Sequence, residues 1–257
     1  YVNLADAVDP QWSEIVLPGF FEREESLAGL KEHSCVVEED YTEPSYFIDL
    51  KKVQENSEPY LSYLSKNSRS QIKRAYKAFE ANYGEIDIRA ASSLAEANKF
   101  FEEMLVLHRA RFEREQCISG FDNAFSLDFQ KQLIESEYEN GHIQMLQIMA
   151  GDICLGYLYN YEYHGQIYFI QGGLREEQDN KMKPGLVCHV EAVQLALSKG
   201  CVSYDFLAGS ERYKSSLALD KQDSNKIAWI RIQRPRWHFR LERFLKNKLR
   251  KKLNKSH

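Results

Sequence analysis

Met182-Lys183-Pro184-Gly185-Leu186-Val187-Cys188-His189-Val190-Glu191-Ala192-Val193, continuing through Gly200 to Tyr204-Asp205-Phe206-Leu207-Ala208-Gly209 and Tyr213-Lys214, is the stretch on which the fold turns. Pro184 suits a first helical turn, where its missing N–H would have had no partner. Gly185 lets a backbone approach a ligand closely. Leu186, Val187, Val190, Val193, Leu195, Ala196 and Leu197 give the helix an apolar face, and Gly200 stops it. Val202 to Phe206 then reads as a short buried strand. A helix mouth of this kind offers free N–H groups and a positive dipole end, which suit a phosphate. The same pattern also describes an ordinary crossover helix of an α/β domain.

Upstream, Ile143 to Met149, Cys154 to Tyr163 and Gln166 to Gly173 read as three strands. Gly151-Asp152 and His164-Gly165 between them are hairpin turns. An eleven-residue polar loop, Leu174 to Pro184, leads from the third strand into the helix. The strand after the helix should therefore lie parallel to the third one. Before the hairpins, Ile86 to Ala90 alternates as a strand, and Leu94 to Gln116 and Leu127 to Glu139 have helical spacing. Residues 58–82 read as one long polar helix, with Arg69, Lys73 and Tyr76 on one face. Residues 1–50 give incomplete α/β pieces: strands at Trp12 to Leu17, Ser34 to Glu38 and Ser45 to Leu50, with a helix at Glu24 to His33. Lys226 to Gln233 is expected as a last strand, and Arg236 to Leu253 as a closing basic amphipathic helix. The domains expected are 1–50, 51–235 and 236–257.

With 257 residues, 43% apolar and 28% charged, the composition is that of a soluble globular chain. The net charge of −4 hides an asymmetry: residues 231–257 hold eleven Lys/Arg against Glu242, a net +10, which leaves −14 elsewhere. Such a tail suggests an anionic partner, and a solvated face is the plainer account. Five scattered cysteines (35, 117, 154, 188, 201) argue for a reducing compartment and against a disulfide frame or zinc site; no metal is expected. No apolar run reaches the ~18 residues of a membrane span. No signal-peptide pattern is read, and the start at Tyr1 points to a processed or trimmed product. The cytoplasm is the expected location, with the tail 236–257 resting on the inner face of a membrane.

The element order resembles the GNAT (acyl-CoA N-acyltransferase) fold, an α+β class with a mixed, mainly antiparallel sheet and helices on both faces. Gly172-Gly173-Leu174-Arg175, the Lys-Pro-Gly-Leu-Val helix start and Tyr-Asp-Phe-Leu-Ala-Gly…Tyr-Lys are similar to FemAB-related, CelD-like acetyltransferases of cellulose and exopolysaccharide biosynthesis. Tyr63 to Arg69 and Leu107 to Arg111 match the same group. The resemblance spans about residues 45–235, and residues 1–50 look like the end of a second GNAT-like half. It implies acyl transfer from acetyl-CoA, or another acyl-CoA, to an amine on a sugar or small metabolite.

The resemblance also assigns roles. Strands Ile167–Gly173 and Val202–Phe206 would splay around the acyl arm. Gln171, Gly172 and Gly173 would meet the thioester, and Lys183, Pro184, Gly185 and Leu186 the diphosphate. The loop lacks the family's Arg/Gln-x-x-Gly-x-Gly/Ala run, keeping only Lys181, Lys183 and Pro-Gly. Asp205 is the first candidate base, His108 the second, and Tyr213 the candidate proton donor to the leaving sulfur. Asp205 could equally cap a turn, and His108 and Tyr213 could simply pack. Arg69, Arg111 and Lys214 are candidate contacts to an anionic acceptor, with salt bridges to Glu as the alternative. Two other functions compete. One is a FemAB-type aminoacyl-tRNA-dependent transferase, the one reading in which nucleic acid is a partner. The other is a non-catalytic GNAT-like scaffold.

Overall fold

The computed structural model describes residues 14–21, 36–56, 58–219 and 224–233, together with Trp237, Leu241, Phe244 and Leu245. The chain divides into two compact units: Ser45–Ser224, and Tyr1–Pro44 with Asn225–His257. In the latter, strand β1 (Glu14–Phe21) pairs antiparallel with β8 (Ser224–Gln233), with a register shift between Leu17 and Phe20. Pro18, which has no N–H for a ladder, falls at that shift.

The unit Ser45–Ser224 is built on a six-stranded mixed sheet, in the order β2-β7-β6-β5-β4-β3. The strands are β2 (Val36–Asp49, entering this unit at Ser45), β3 (Ile86–Ala90), β4 (Ile143–Ala150), β5 (Ile153–Tyr163), β6 (Gln166–Leu174) and β7 (Ser203–Ala208). Every pairing is antiparallel except β6 with β7. The tight turns follow from residues that tolerate positive φ: Gly151 at 53°, and His164 and Gly165 at 50° and 73°.

Side chains that alternate along β4 and β5 feed two cores, one on each sheet face. Leu146, Ile148 and Leu158 join Ile72, Ala75, Phe79, Val187 and Val190. This core lies under helices α1 (Leu50–Asn56), α2 (Lys66–Asn82) and α5 (Pro184–Ser198). Met145, Tyr157 and Tyr159 join Phe100, Phe101, Met104 and Ile134, under α3 (Leu94–Arg114) and α4 (Ala124–Glu137). A short helix α6 (Arg212–Leu217) follows β7.

Several boundaries differ from expectation. The single helix expected over 58–82 is a 3-10 turn, Tyr60–Tyr63, then α2, because Ser65 Oγ accepts the Ser68 N–H and starts the helix afresh. The strand expected to reach Leu50 ends at Asp49, whose Oδ1 accepts the Lys52 N–H and opens α1. Pro44, expected between two strands, lies inside one. The helix expected at 24–33 lies outside the described residues, as does all of the basic tail 236–257 except the four residues named above.

Candidate active site

The parallel pair β6 and β7 is joined only at its start. Gln166, Ile167 and Tyr168 pair with Ser203, Tyr204 and Asp205, and the pairing ends there. Beyond Tyr168 the strands part. β6 also shifts register against β5 between Phe169 and Gln171, which leaves Ile170 as an extra residue. Past that point the β7-facing edge of β6 has no strand partner in β7.

The gap leads into a cavity of about 970 Å³. Its walls come from the first turns of α2 (Asn67, Ser68, Gln71, Arg74), the end of α3 (Arg111, Phe112), β6 (Phe169 to Gly172), the mouth of α5 (Lys183, Gly185, Leu186, His189) and the turn into α6 (Phe206 to Ala208, Glu211 to Lys214). Lys181 and Asn180 from the preceding loop also reach it.

The helix mouth is close-fitting. A Cβ on Gly185 would stand 3.2 Å from Leu174 Cδ1. Lys183, the residue before the first turn, makes no side-chain cap. Pro184 has no N–H, and the Leu186 N–H is spent on Lys183 O at 3.1 Å, which leaves the Gly185 amide facing outward. An anion here would rest on that amide and on Lys181 and Lys183.

The expected donor contacts, at the thioester and at the diphosphate, divide. Gln171 and Gly172 line the cavity; Gly173 and Pro184 do not. A Cβ on Gly173 would lie 2.2 Å from the Met104 carbonyl oxygen, so the glycine lets α3 cross β6. The Gly172 N–H donates to the Gln171 Oε1 at 3.1 Å.

The three residues expected in catalysis stand differently as well. Tyr213 lines the cavity, stacked on His189 with ring centroids 5.1 Å apart. Burial raises its pKa, so the hydroxyl stays protonated at neutral pH. Asp205 and His108 are not among the lining residues. Asp205 Oδ1 accepts the Leu207 N–H at 2.7 Å and the Ser45 hydroxyl at 3.0 Å. Leu207, at φ 58°, is itself a wall residue. Burial raises the Asp205 pKa, and those two hydrogen bonds pull it back.

His108 is 1% exposed and stacks on Phe112. Its Nδ1 faces Gly172 O at 3.4 Å and its Nε2 faces Ser119 Oγ at 2.8 Å. A carbonyl can only accept, so Nδ1 carries the proton and Nε2 accepts from Ser119. Burial lowers its pKa, and the ring is neutral.

Of the expected acceptor contacts, Arg111 and Lys214 line the cavity. Lys214 is 5% exposed and committed: Nζ donates to Ala208 O at 2.7 Å and pairs with Glu211 at 3.1 Å. Arg69 lies away from the cavity, donating to Ser62 O at 2.7 Å. His189 was not foreseen. It is buried among Phe169, Phe206 and Tyr213, with Nδ1 3.3 Å from the Tyr204 hydroxyl, and burial lowers its pKa to about 3. The available signal was a histidine one turn into a helix opened by Pro-Gly, within an otherwise apolar run. Among the described residues no group of His, Cys, Asp and Glu could hold a metal ion, and no helix is long and apolar enough to cross a membrane.

A mixed sheet that splits between parallel strands, with a helix mouth beside the split, defines an acyltransferase of the GNAT class. The family profile described as "Acetyltransferase (GNAT) domain" matches residues 66–215, more than half of the chain, and the chain belongs to that family. No curated protein sequence matches it significantly.

Solved structures share its fold. FemX superposes with a TM-score of 0.59 at 10% identity, over 88% of this chain and 73% of that one. A conserved protein of unknown function from Bacteroides thetaiotaomicron gives 0.57 at 10% identity, over 90% and 73%. The C-terminal domain of a putative lysylphosphatidylglycerol synthetase from Agrobacterium fabrum gives 0.57 at 5% identity, over 89% and 70%.

Proposed function

We propose that this acyltransferase moves an acyl group, acetyl in the simplest case, from a coenzyme A thioester to an amine on a sugar or small metabolite. The sequence likeness to CelD-like proteins favours surface-polysaccharide synthesis as the setting. The observation that carries the donor assignment is the opening of β6 from β7 into a cavity whose far wall is the α5 mouth with Lys181, Lys183 and Gly185. The residues present fit such a donor: two ammonium groups and an outward amide for phosphates, and a slot between strands for an extended arm. Coenzyme A would supply the activated acyl group as a thioester.

In this reading the chain's own residues do the rest. Backbone amides of β6 beyond Tyr168, where β7 no longer pairs, hydrogen-bond the carbonyl oxygen as charge develops on it, the Gly172 N–H by leaving Gln171 Oε1. Tyr213, protonated and lining the cavity, gives its proton to the departing sulfur and takes back, through water, the proton that the attacking amine loses. Asp205 and His108 act as positioning residues: Asp205 fixes the backbone of Leu207, and His108 holds the Gly172 carbonyl. Calorimetric titration with acetyl-CoA tests the assignment. Stoichiometric binding that Lys183→Glu weakens is expected, and no binding would end it.

A second reading, aminoacyl transfer from a charged tRNA, is favoured by the fold shared with FemX and with the lysylphosphatidylglycerol synthetase domain. Retardation of aminoacyl-tRNA without any response to acetyl-CoA would select it.

A further inference from the structure

We propose that the acceptor is itself a phosphate-bearing molecule, held by a second cationic site made by Arg74, Arg111 and Arg212 and continued outside the cavity along α2. The inference rests on the acyl-CoA reading of the cavity and goes on to name the chemical class of the other substrate. Six Lys or Arg line the cavity, and Glu211 is the one acid among the lining residues. Lys214 is already neutralised by Glu211 and the Ala208 carbonyl. Lys181 and Lys183 stand by the α5 mouth and serve the donor's phosphates.

Three guanidiniums remain, from α2, α3 and the start of α6. Arg111 is the most telling. Its Nε is buried and has no hydrogen-bond partner, its nearest carboxylate, Glu115, stands 3.8 Å away, and its guanidinium lies over the Phe112 ring. A buried N–H donor without a partner is costly, and an oxygen brought by a ligand removes that cost. Arg74 Nε reaches only the carbonyl of Ser70, one turn back, at 3.3 Å. The residue type matters too, since the planar fork of arginine matches two phosphate oxygens where a lysine offers a point charge. A neutral acceptor would leave Arg111 with only Glu115 at 3.8 Å, and Arg74 and Arg212 with no ion pair among the described residues.

Arg74 also belongs to a shallow surface groove with Lys66, Arg69, Ser70, Lys73 and Lys77. No acid lines that groove. Along an α-helix, Lys66 to Lys77 spans about 16 Å. The positive track therefore runs from inside the cavity out along one helix, a length suited to a diphosphate and the group attached to it rather than to a single carboxylate.

The test uses inorganic pyrophosphate as probe and the whole chain, by calorimetry at low salt, with and without saturating coenzyme A. Pyrophosphate should bind the coenzyme A-loaded protein. Arg74→Gln and Arg111→Gln should each weaken it at least tenfold while coenzyme A affinity stays within about twofold. Should Arg111→Gln fail to fold by circular dichroism, Arg74→Gln carries the comparison alone. One-for-one displacement of coenzyme A by pyrophosphate, no pyrophosphate binding, or binding indifferent to both arginines overturns the inference. Arginine-dependent pyrophosphate binding in a protein that ignores coenzyme A would keep the second site and discard the acyl-CoA reading. A tRNA pool held through the same arginines and not displaced by pyrophosphate would assign the track to RNA and overturn the small-phosphate reading.

Discussion

At Gly173 a single methyl group has nowhere to go. Its Cβ would meet backbone, the carbonyl of Met104 at 2.2 Å, and backbone cannot swing aside as a side-chain tip can. Gly173→Ala should cost about 1–3 kcal/mol through a forced shift of α3 against β6, read as a lowered urea midpoint. His189 acts through its proton. Burial, helped by the charge of Lys214, moves its pKa from 6.5 down to about 3. Between those values the unfolded chain binds a proton that the folded one refuses, so this residue's contribution to stability falls as pH falls from about 6.5 toward 3. The loss is about 1.4 kcal/mol per pH unit, and His108 adds to it in the same direction. Urea denaturation at pH 6 and pH 4.5 should show a shallower acid loss in His189→Phe than in the parent chain. Tyr213→Phe should leave the fold intact. It should slow thiol release from acetyl-CoA, to an amine or to water, by about 10²-fold or more if the hydroxyl gives its proton to sulfur.

At the scale of elements, the hairpins and the parallel return were legible because each rests on local chemistry: Gly151, His164 and Gly165 accept positive φ, and a helix between two strands forces the second to run parallel. The faces of α2 were less legible. Tyr60 and Leu64 are buried as their spacing suggests, but Ser65 restarts the helix between the two turns. Ile72, Ala75 and Phe79 then set its inward stripe, and Asn67, Gln71 and Arg74 border the cavity. Arg69, two residues from either Asn67 or Gln71, points about 200° around the helix from them. No local signal in the sequence separates Arg69 from Arg74; only the packing of α2 does.

Asp205 illustrates the same limit at the end of β7. Its place in a Tyr-Asp-Phe strand suggested a base, while the fold gives its Oδ1 to Leu207 and Ser45. Asp205→Asn keeps an accepting oxygen, and turnover should stay within a few-fold. Asp205→Ala strands the Leu207 N–H and should cost about 1–3 kcal/mol, with transfer falling alongside the melting temperature. A collapse of turnover in Asp205→Asn at unchanged stability would restore it as the base.

At the scale of the whole molecule, everything argued for the site lies within Ser45–Ser224. Both cores, the split between β6 and β7, and every residue lining the cavity belong to that unit. The family profile, residues 66–215, also falls inside it. A unit with its own two-sided core is expected to fold by itself, and about 180 residues is ample for such a core. Its cut ends are also favourable. Ser45 lies in β2, where pairing with Ala208 and the bond to Asp205 hold the strand in place, and Ser224 follows the last element of the cavity wall. Residues 45–224 expressed alone should therefore melt in a single cooperative transition, and acetyl-CoA should raise the midpoint by as much as it raises that of the full chain in the same assay, since a ligand that binds only the native state stabilises by mass action. The fragment lacks the basic segment 231–257, so pyrophosphate binding that survives in it, and that still depends on Arg74 and Arg111, traces the anion affinity to the cavity and α2 rather than to the tail. A fragment that stays unfolded, or that binds acetyl-CoA only when residues 225–257 are restored, would mean that the site needs the other unit to form.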